Sequence, residues 1–242
     1  MPRFFVDLPL KDGERLPLPA GASRHVQVLR LQPGDKVTLF NGTGGQWRAR
    51  IDRIERTRVT VELEAFEPIE REPTRSVHLA VGVPANERMD WLVEKASELG
   101  AASLQPLVTT HSVWRLSGER AEKKRRHWQA IAAAACEQCG GNRLPAIEPM
   151  NELAAWLRLA HPTLHRGVLS LREDARPLAG WRDECAPAAS LLLLSGPEGG
   201  LSRQEEEAAR ALGFIPISLG PRTLRAETAA LAALSLALQE GG

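Results

Sequence analysis

Few cysteines, almost no net charge and no long apolar run mark this sequence, and each shortage removes a class of function. Three cysteines among 242 residues are an odd number and make no disulfide framework. No window stays apolar for the length that a membrane-spanning helix needs. The opening stretch MPRFFVDLPLKDGERL lacks the long apolar core of a secretory signal. We therefore expect a cytoplasmic protein of a reducing compartment, with no membrane partner. A formal net charge of +1 says nothing as a total, so any nucleic-acid signal has to be local. There is no internal repeat and no low-complexity segment beyond alanine-rich helices. What is present is ordinary for a globular chain: 43% hydrophobic and 25% charged residues, enough to bury one large core or two small ones.

The first seventy or so residues read differently from the rest. DKVTLFNGTGGQWRARIDRIERTRVTVELEAF contains three β-rich runs. Val37 and Leu39, then Val59, Val61 and Leu63, alternate with polar residues as half-buried strands do. Asn41-Gly42 and Gly44-Gly45 suit a hairpin between the first two runs. A short helix is expected over residues 23–29, closed by QPGD, and EPIEREPTR (67–75) reads as a linker. The expectation is a small barrel or sheet.

Beyond the linker, strands and helices alternate as in an α/β domain. SVHLAVGVP reads as a strand and NERMDWLVEKASELG as a helix, capped by Asn86 and apolar at Met89, Leu92, Val93, Ala96 and Leu99. SLQPLVTT is the next strand, followed by a long helix over about 121–138 and a shorter one in NELAAWLRLA. HRGVLSL, SLLLLS and FIPISLG are further strands, and AETAALAALSLALQE is the last helix. The run Leu191–Leu194 has no polar face, which implies a strand covered on both sides.

Two corners follow the last two apolar strands. In SGPEGGLSRQEEE, Ser202 and Glu205 fit a capping box, so residues 195–201 form a loop at the carboxyl end of a buried strand, where open α/β sheets hold ligands. The loop lacks the Gly-Lys-Ser/Thr ending of a phosphate loop and the glycine spacing of a dinucleotide fingerprint. Taken alone it is as readily a plain turn as a ligand site. SLGPRTLRAETAAL repeats the design, and Arg222 and Arg225 beside Glu227 and Thr228 resemble a site more than solvated loop charges.

GPEGGLS followed about twenty residues later by LGPRTLRAETAAL resembles the cofactor half of the SPOUT methyltransferases, and more closely the ribosomal RNA small subunit methyltransferase E family. MDWLVEKASELG, AACEQCGGNRLP and HVQVLRLQPGD are similar to further family motifs in the same order, so the resemblance spans essentially the whole chain. Its departures are Ala226, where the pattern has threonine, and VLSLRED, a loose match to a third cofactor loop. The resemblance implies a PUA-like β-barrel domain over 1–70 that binds RNA. It also implies a trefoil-knotted SPOUT α/β domain over 74–242 that binds S-adenosylmethionine, and a homodimer. The implied reaction is methylation of N3 of a uridine in 16S rRNA of the small ribosomal subunit. By the same similarity, Leu169, Gly196, Glu198, Gly199, Gly200, Leu219, Gly220, Leu224, Arg225 and Thr228 lie around the cofactor.

For such a reaction Arg225 is the candidate for stabilising charge on the uracil oxygens, and Glu227 a candidate proton acceptor. Glu227 could equally cap its helix or pair with an arginine. RARIDRIERTR (48–58) and RAEKKRRH (120–127) are the local basic runs. The expected RNA contacts are Arg3, Arg24, Arg30, Lys95, Arg125, Arg126 and Arg143. Three other readings stay open. Cys136-x-x-Cys139 could be a redox or zinc pair, but it ends a helix, where the dipole disfavours thiolate. Cys139 also falls on the wheel with Trp128, Ala132 and Ala135, which points to core packing; no second pair completes a zinc site and no metal is expected. His111 and His127 are expected to be structural or RNA-facing. The other two readings are a non-catalytic PUA-type RNA-binding protein and a ribose 2′-O-methyltransferase.

Overall fold

The computed structural model describes residues 1–85, 87–113, 116–159 and 164–239. The Asn86 cap expected from the sequence lies outside the described residues. The chain forms two compact units, residues 1–72 with 133–144, and residues 73–132 with 145–242.

The first unit is built on β1 (Arg3–Phe5), β2 (Arg15–Pro17), α1 (Ala20–Val28), β3 (Lys36–Phe40), β4 (Gln46–Ile54) and β5 (Val59–Glu67). The sheet order is β1-β3-β4-β5-β2, with β1 parallel to β3 and the other pairs antiparallel. Trp47, Ala49 and Ile51 of β4 and Val59, Val61 and Leu63 of β5 turn inward onto Phe4, Val26, Val37 and Leu39. In β5 this is the period-2 pattern expected from the sequence, whereas in β3 Val37, Thr38, Leu39 and Phe40 are all buried and the expected alternation is absent. α1 begins three residues before the predicted helix, immediately after Pro19. Residues 133–144 belong here because their polar groups are clasped locally: the Phe5 N–H donates to Glu137 Oε1 at 2.8 Å and the Asn142 N–H to Glu72 Oε1 at 3.0 Å.

The second unit contains, in chain order, β6 (Val77–Gly82), α2 (Glu87–Leu99), β7 (Ser103–Val108), α3 (Gly118–Cys139, its last turns in the first unit) and β8 (Ala146–Ile147). There follow β9 (Asn151–Glu152), α4 (Leu153–Trp156), β10 (His165–Leu169), β11 (Arg176–Pro177) and α5 (Leu178–Asp183). β12 (Leu191–Ser195), α6 (Arg203–Ala211), β13 (Ile215–Ser218) and α7 (Ala226–Leu238) complete it. The helix predicted in NELAAWLRLA is the four-residue α4, preceded by the short β9. β11 and α5 have no counterpart in the sequence reading.

Its strands run parallel in the order β11-β13-β10-β12-β6-β7-β8, with β9 also on β7. Leu191–Leu194 of β12 are at most 3% exposed because the strand lies between β10 and β6 and both its faces are covered. Leu191 and Leu193 pack with Leu92, Trp128 and Leu234 from α2, α3 and α7. Leu192 and Leu194 pack with Trp156, Ala209 and Phe214 instead. An all-apolar strand is the requirement of that two-sided burial.

Candidate functional site

The carboxyl ends of β10, β12 and β13 open onto one cavity of about 240 Å³. Leu169, Ser170 and Leu171 form one side. Gly196, Pro197, Glu198, Gly199 and Gly200 of the first corner form another, and Leu219, Gly220, Arg222, Thr223 and Leu224 of the second corner complete it with Ala226 and Ala229 of α7. Of the residues expected around a ligand, Arg225 and Thr228 are exposed and lie outside this lining, while Arg222 is part of it. The reason is local. Arg225 is the N-cap of α7, in extended backbone, so the chain is already turning into the helix at that point. The loosely matched segment after β10 does reach the cavity.

The first corner is shaped by close backbone approach. A Cβ on Gly196 would overlap the backbone of Gly200 and Leu201, so the loop can fold back on itself only with glycine there. The Gly200 N–H closes the turn onto Pro197 O at 2.8 Å. α6 starts with the expected capping box: the Glu205 N–H donates to Ser202 Oγ and the Ser202 N–H to Glu205 Oε2. Glu205 also accepts from the Thr110 N–H at 2.8 Å. Burial pushes its carboxyl up, but these backbone donors outweigh burial and hold it below the ordinary range. In the second corner Gly220 has φ +111°, a conformation that a side chain would strain.

Glu198, expected at the ligand, is held by other partners as well. Its Oε1 accepts from the Ala85 N–H at 2.9 Å and lies 3.3 Å from Arg88 Nη1. Arg88 Nε is 3.9 Å from Glu227 Oε1. Glu227 is only 7% exposed, so the candidate proton acceptor is a buried partner of an arginine. Arg88 had not been singled out in the sequence, where it reads as one more charge at a helix start. His111 Nδ1 lies 3.1 Å from Gly200 O, and His127 Nε2 pairs with Asp90 Oδ2 at 2.8 Å.

A family model described as an RNA methyltransferase domain matches residues 70–238, and one described as an RNA methyltransferase PUA domain matches 18–64. The chain is 29% identical to the ribosomal RNA small subunit methyltransferase E of Bacillus subtilis, over 97% of this chain and 95% of that protein. It superposes with a TM-score of 0.90 on the crystal structure of such an enzyme from Neisseria gonorrhoeae bound to S-adenosyl methionine, at 34% identity over 97% of this chain and 96% of that one. A putative methyltransferase from Legionella pneumophila in complex with the cofactor SAM gives the same TM-score at 35% identity, over 97% and 96% of the two chains. The chain belongs to the ribosomal RNA small subunit methyltransferase E family.

In this family member the charges expected to meet RNA divide into two groups. Arg3 is held within the first unit. Its Nη1 donates to Gln46 Oε1 at 2.6 Å and its Nη2 to Asn142 Oδ1 at 2.8 Å and Gly141 O at 3.1 Å, with the guanidinium 4.9 Å from the Phe40 ring centre. Burial pushes its pKa down, and its Nε is buried without a partner among the described residues. Arg3 therefore clasps the first unit together. Lys95 lies 2.7 Å from both Glu94 and Glu98, Arg125 2.8 Å from Glu122, and Arg143 3.3 Å from Glu70. Arg24, Arg30 and Arg126 are exposed and have no ion pair among the described residues. In β4 the basic run is countered across the sheet, by Arg48–Glu67, Arg50–Glu62 and Arg50–Glu64 pairs with β5.

The cysteines also depart from expectation. Cys136, not Cys139, is the buried cysteine of the pair, and Cys139 is half-buried at the last position of α3. The interaction with Cys136 lowers the Cys139 pKa to about 6, against the pull of burial and assisted by the Gly141 N–H 3.5 Å from Cys139 Sγ; the same interaction, together with burial, raises that of Cys136. Among the described residues no group of three or more His, Cys, Asp or Glu side chains is arranged to hold a metal ion.

Proposed function

We propose that the chain is an S-adenosylmethionine-dependent methyltransferase acting on N3 of a uridine in 16S rRNA of the small ribosomal subunit. The observation that carries this is the meeting of two separate corners, after β12 and β13, in one cavity at the carboxyl ends of parallel strands. The donor set fits the cofactor. Leu169, Ile217, Leu219 and Leu224 offer apolar contact to an adenine ring, and the glycine-rich backbone lets polar edges approach main-chain groups. The cradle at Gly196, which no side chain could share, supports the same fit.

When bound, S-adenosylmethionine supplies an electrophilic methyl on a sulfonium centre. The task of the chain is to hold the uracil N3 in line and to stabilise the charge that spreads onto the flanking carbonyl oxygens once the N3 proton has passed to solvent water. Arg225, exposed at the start of α7, is assigned to that charge. Glu227 is too enclosed to take the proton in this arrangement and acts through Arg88.

The residues over 1–70 form a PUA-like β-barrel that binds RNA, a reading supported by the sheet β1-β3-β4-β5-β2 and the PUA match. Residues 74–242 form a SPOUT domain with a trefoil knot. In its support, β12 and β13 flank β10 on opposite sides, and the segment after β13 runs along the first corner before α7 packs on α2, β6 and β12. The enzyme works in the cytoplasm as a homodimer. Arg24, Arg30 and Arg126 lead the phosphate contacts, with Lys95, Arg125 and Arg143 exchanging their present partners for RNA, so affinity falls steeply with salt.

Primer extension on 16S rRNA tests the reaction, because an N3 methyl blocks Watson–Crick pairing and halts reverse transcription whereas a ribose 2′-O methyl largely does not. A stop in the parent strain that disappears on deletion of the gene is expected. A stop that persists overturns the assignment.

A further inference from the structure

A second cavity, of about 1070 Å³, shares the Glu198–Gly199 edge with the donor pocket. Its lining mixes apolar surface with charged and polar groups: Arg88, His111 and Lys124 bring donors, and Glu87 and Asp90 bring acceptors. The centre of this wall is Arg88. Glu198 holds its Nη1 at 3.3 Å and Glu227 lies 3.9 Å from its Nε, which leaves Nη2 without a hydrogen bond among the described residues. Glu227 is buried in the first turn of α7, and its Oε2 has no hydrogen-bond partner among the described residues. A carboxylate so enclosed is tolerated only beside a compensating cation. Arg88 is that cation, placed between the carboxylates of Glu198 and Glu227.

We infer that this second cavity receives the target uridine, with Arg88 donating to a carbonyl oxygen beside N3 and Glu227 acting as the positioning residue for Arg88. The inference rests on the methyltransferase reading. A methyl acceptor has to lie against the donor pocket, and the Glu198–Gly199 edge is where the two cavities meet. The volume admits a nucleotide, since ligand sites commonly enclose about 300–1,000 Å³. Donors and acceptors side by side suit a base whose edge carries both carbonyl oxygens and an N–H. A planar, delocalised guanidinium matches a planar anion better than an ammonium would.

The test uses the full chain, S-adenosylmethionine and small ribosomal subunits from a strain lacking the gene. Arg88→Ala is expected to lower kcat by about 10²-fold while calorimetric affinity for S-adenosylmethionine stays within about twofold. Glu227→Gln is expected to lower kcat less, with Glu227→Asp recovering part of the loss and cofactor affinity unchanged. Lys124→Ala should raise KM for the subunits with kcat unaltered. A fall in cofactor affinity large enough to account for the whole Arg88→Ala loss would make Arg88 a prop of the donor loop and overturn the inference, as would an unmoved KM in Lys124→Ala. Should Arg88→Ala fail to fold, a 16S rRNA fragment carrying 4-thiouridine at the target position decides the matter. Irradiated with the wild-type chain, it is expected to label peptides holding residues 85–90, 111–113 or 124, and labelling elsewhere rejects the cavity. A wild-type chain that binds no S-adenosylmethionine takes away the methyltransferase reading itself, and this one with it.

Discussion

The two corners of the donor pocket do the same job by different means. The first, residues 195–201, is tied down on several sides: Gly200 to Pro197, Gly200 to His111, Glu198 to Ala85 and Arg88, and the Ser202–Glu205 box at its exit. In the second, residues 219–225, the Gly220 N–H donates to Ser218 Oγ at 3.1 Å, and Arg222, Thr223 and Arg225 stand exposed. The first corner is thus a preorganised wall whose geometry its own hydrogen bonds maintain. The second is held by the strand before it and the helix after it, and its side chains remain available. Loss of the glycine-dependent backbone fit of the first should appear in stability and cofactor affinity together, and loss of an exposed arginine of the second in turnover alone.

Gly196→Val presses hardest on this contrast. With the Gly200 and Leu201 backbone in the way, it should cost about 3 kcal/mol and abolish binding of S-adenosylmethionine. Denaturation and calorimetry check it, and wild-type values for both would break the comparison. Arg225→Ala should lower turnover about 10²-fold with an unchanged melting temperature. Unchanged turnover would pass the role to Arg222, which lines the cavity. Ser202→Ala, which removes the cap of α6, should cost about 1 kcal/mol, read as a drop in Tm without loss of kcat at low temperature.

The smallest effect is set by pH. Glu205 has a folded pKa depressed by the Ser202 and Thr110 backbone donors, despite burial. Its contribution is therefore complete above the unfolded value of about 4.3 and is lost as pH falls through the folded pKa. Glu205→Gln should flatten the stability profile of the chain on the acid side. An acid limb as steep as that of the wild type would remove Glu205 from the account.

Much of this was legible along the chain because it depends on neighbours in sequence. The alternation in β5, the apolar run of β12 and the Ser202–Glu205 box all appear where local patterning placed them. Other features depend on partners far away. The parallel pairing of β1 with β3 brings Arg3 to Gln46 and Asn142, so a residue that reads as a free N-terminal cation becomes an internal clasp. The arginines of β4 look like a basic patch until β5 sets glutamates opposite them. Cys139 and Cys136 differ by less than a turn, and the end of α3 decides which of them is enclosed. Arg88 is invisible as a site residue because Glu198 and Glu227, which hold it, are more than a hundred positions away.

Composition, strand and helix periods and glycine-bearing corners are consequences of short-range sterics and of burial, which act over a few residues at a time. They were enough to mark an α/β chain with a small β-rich region and two suspicious loops. Which loops share a cavity, and which charges are left over for a ligand, follow instead from sheet order. β10 sits between β12 and β13, and that placement alone brings residues 169, 196–200 and 219–224 to one opening. No local rule contains that distance, because strand pairing spends its free energy across the sheet, not along the chain.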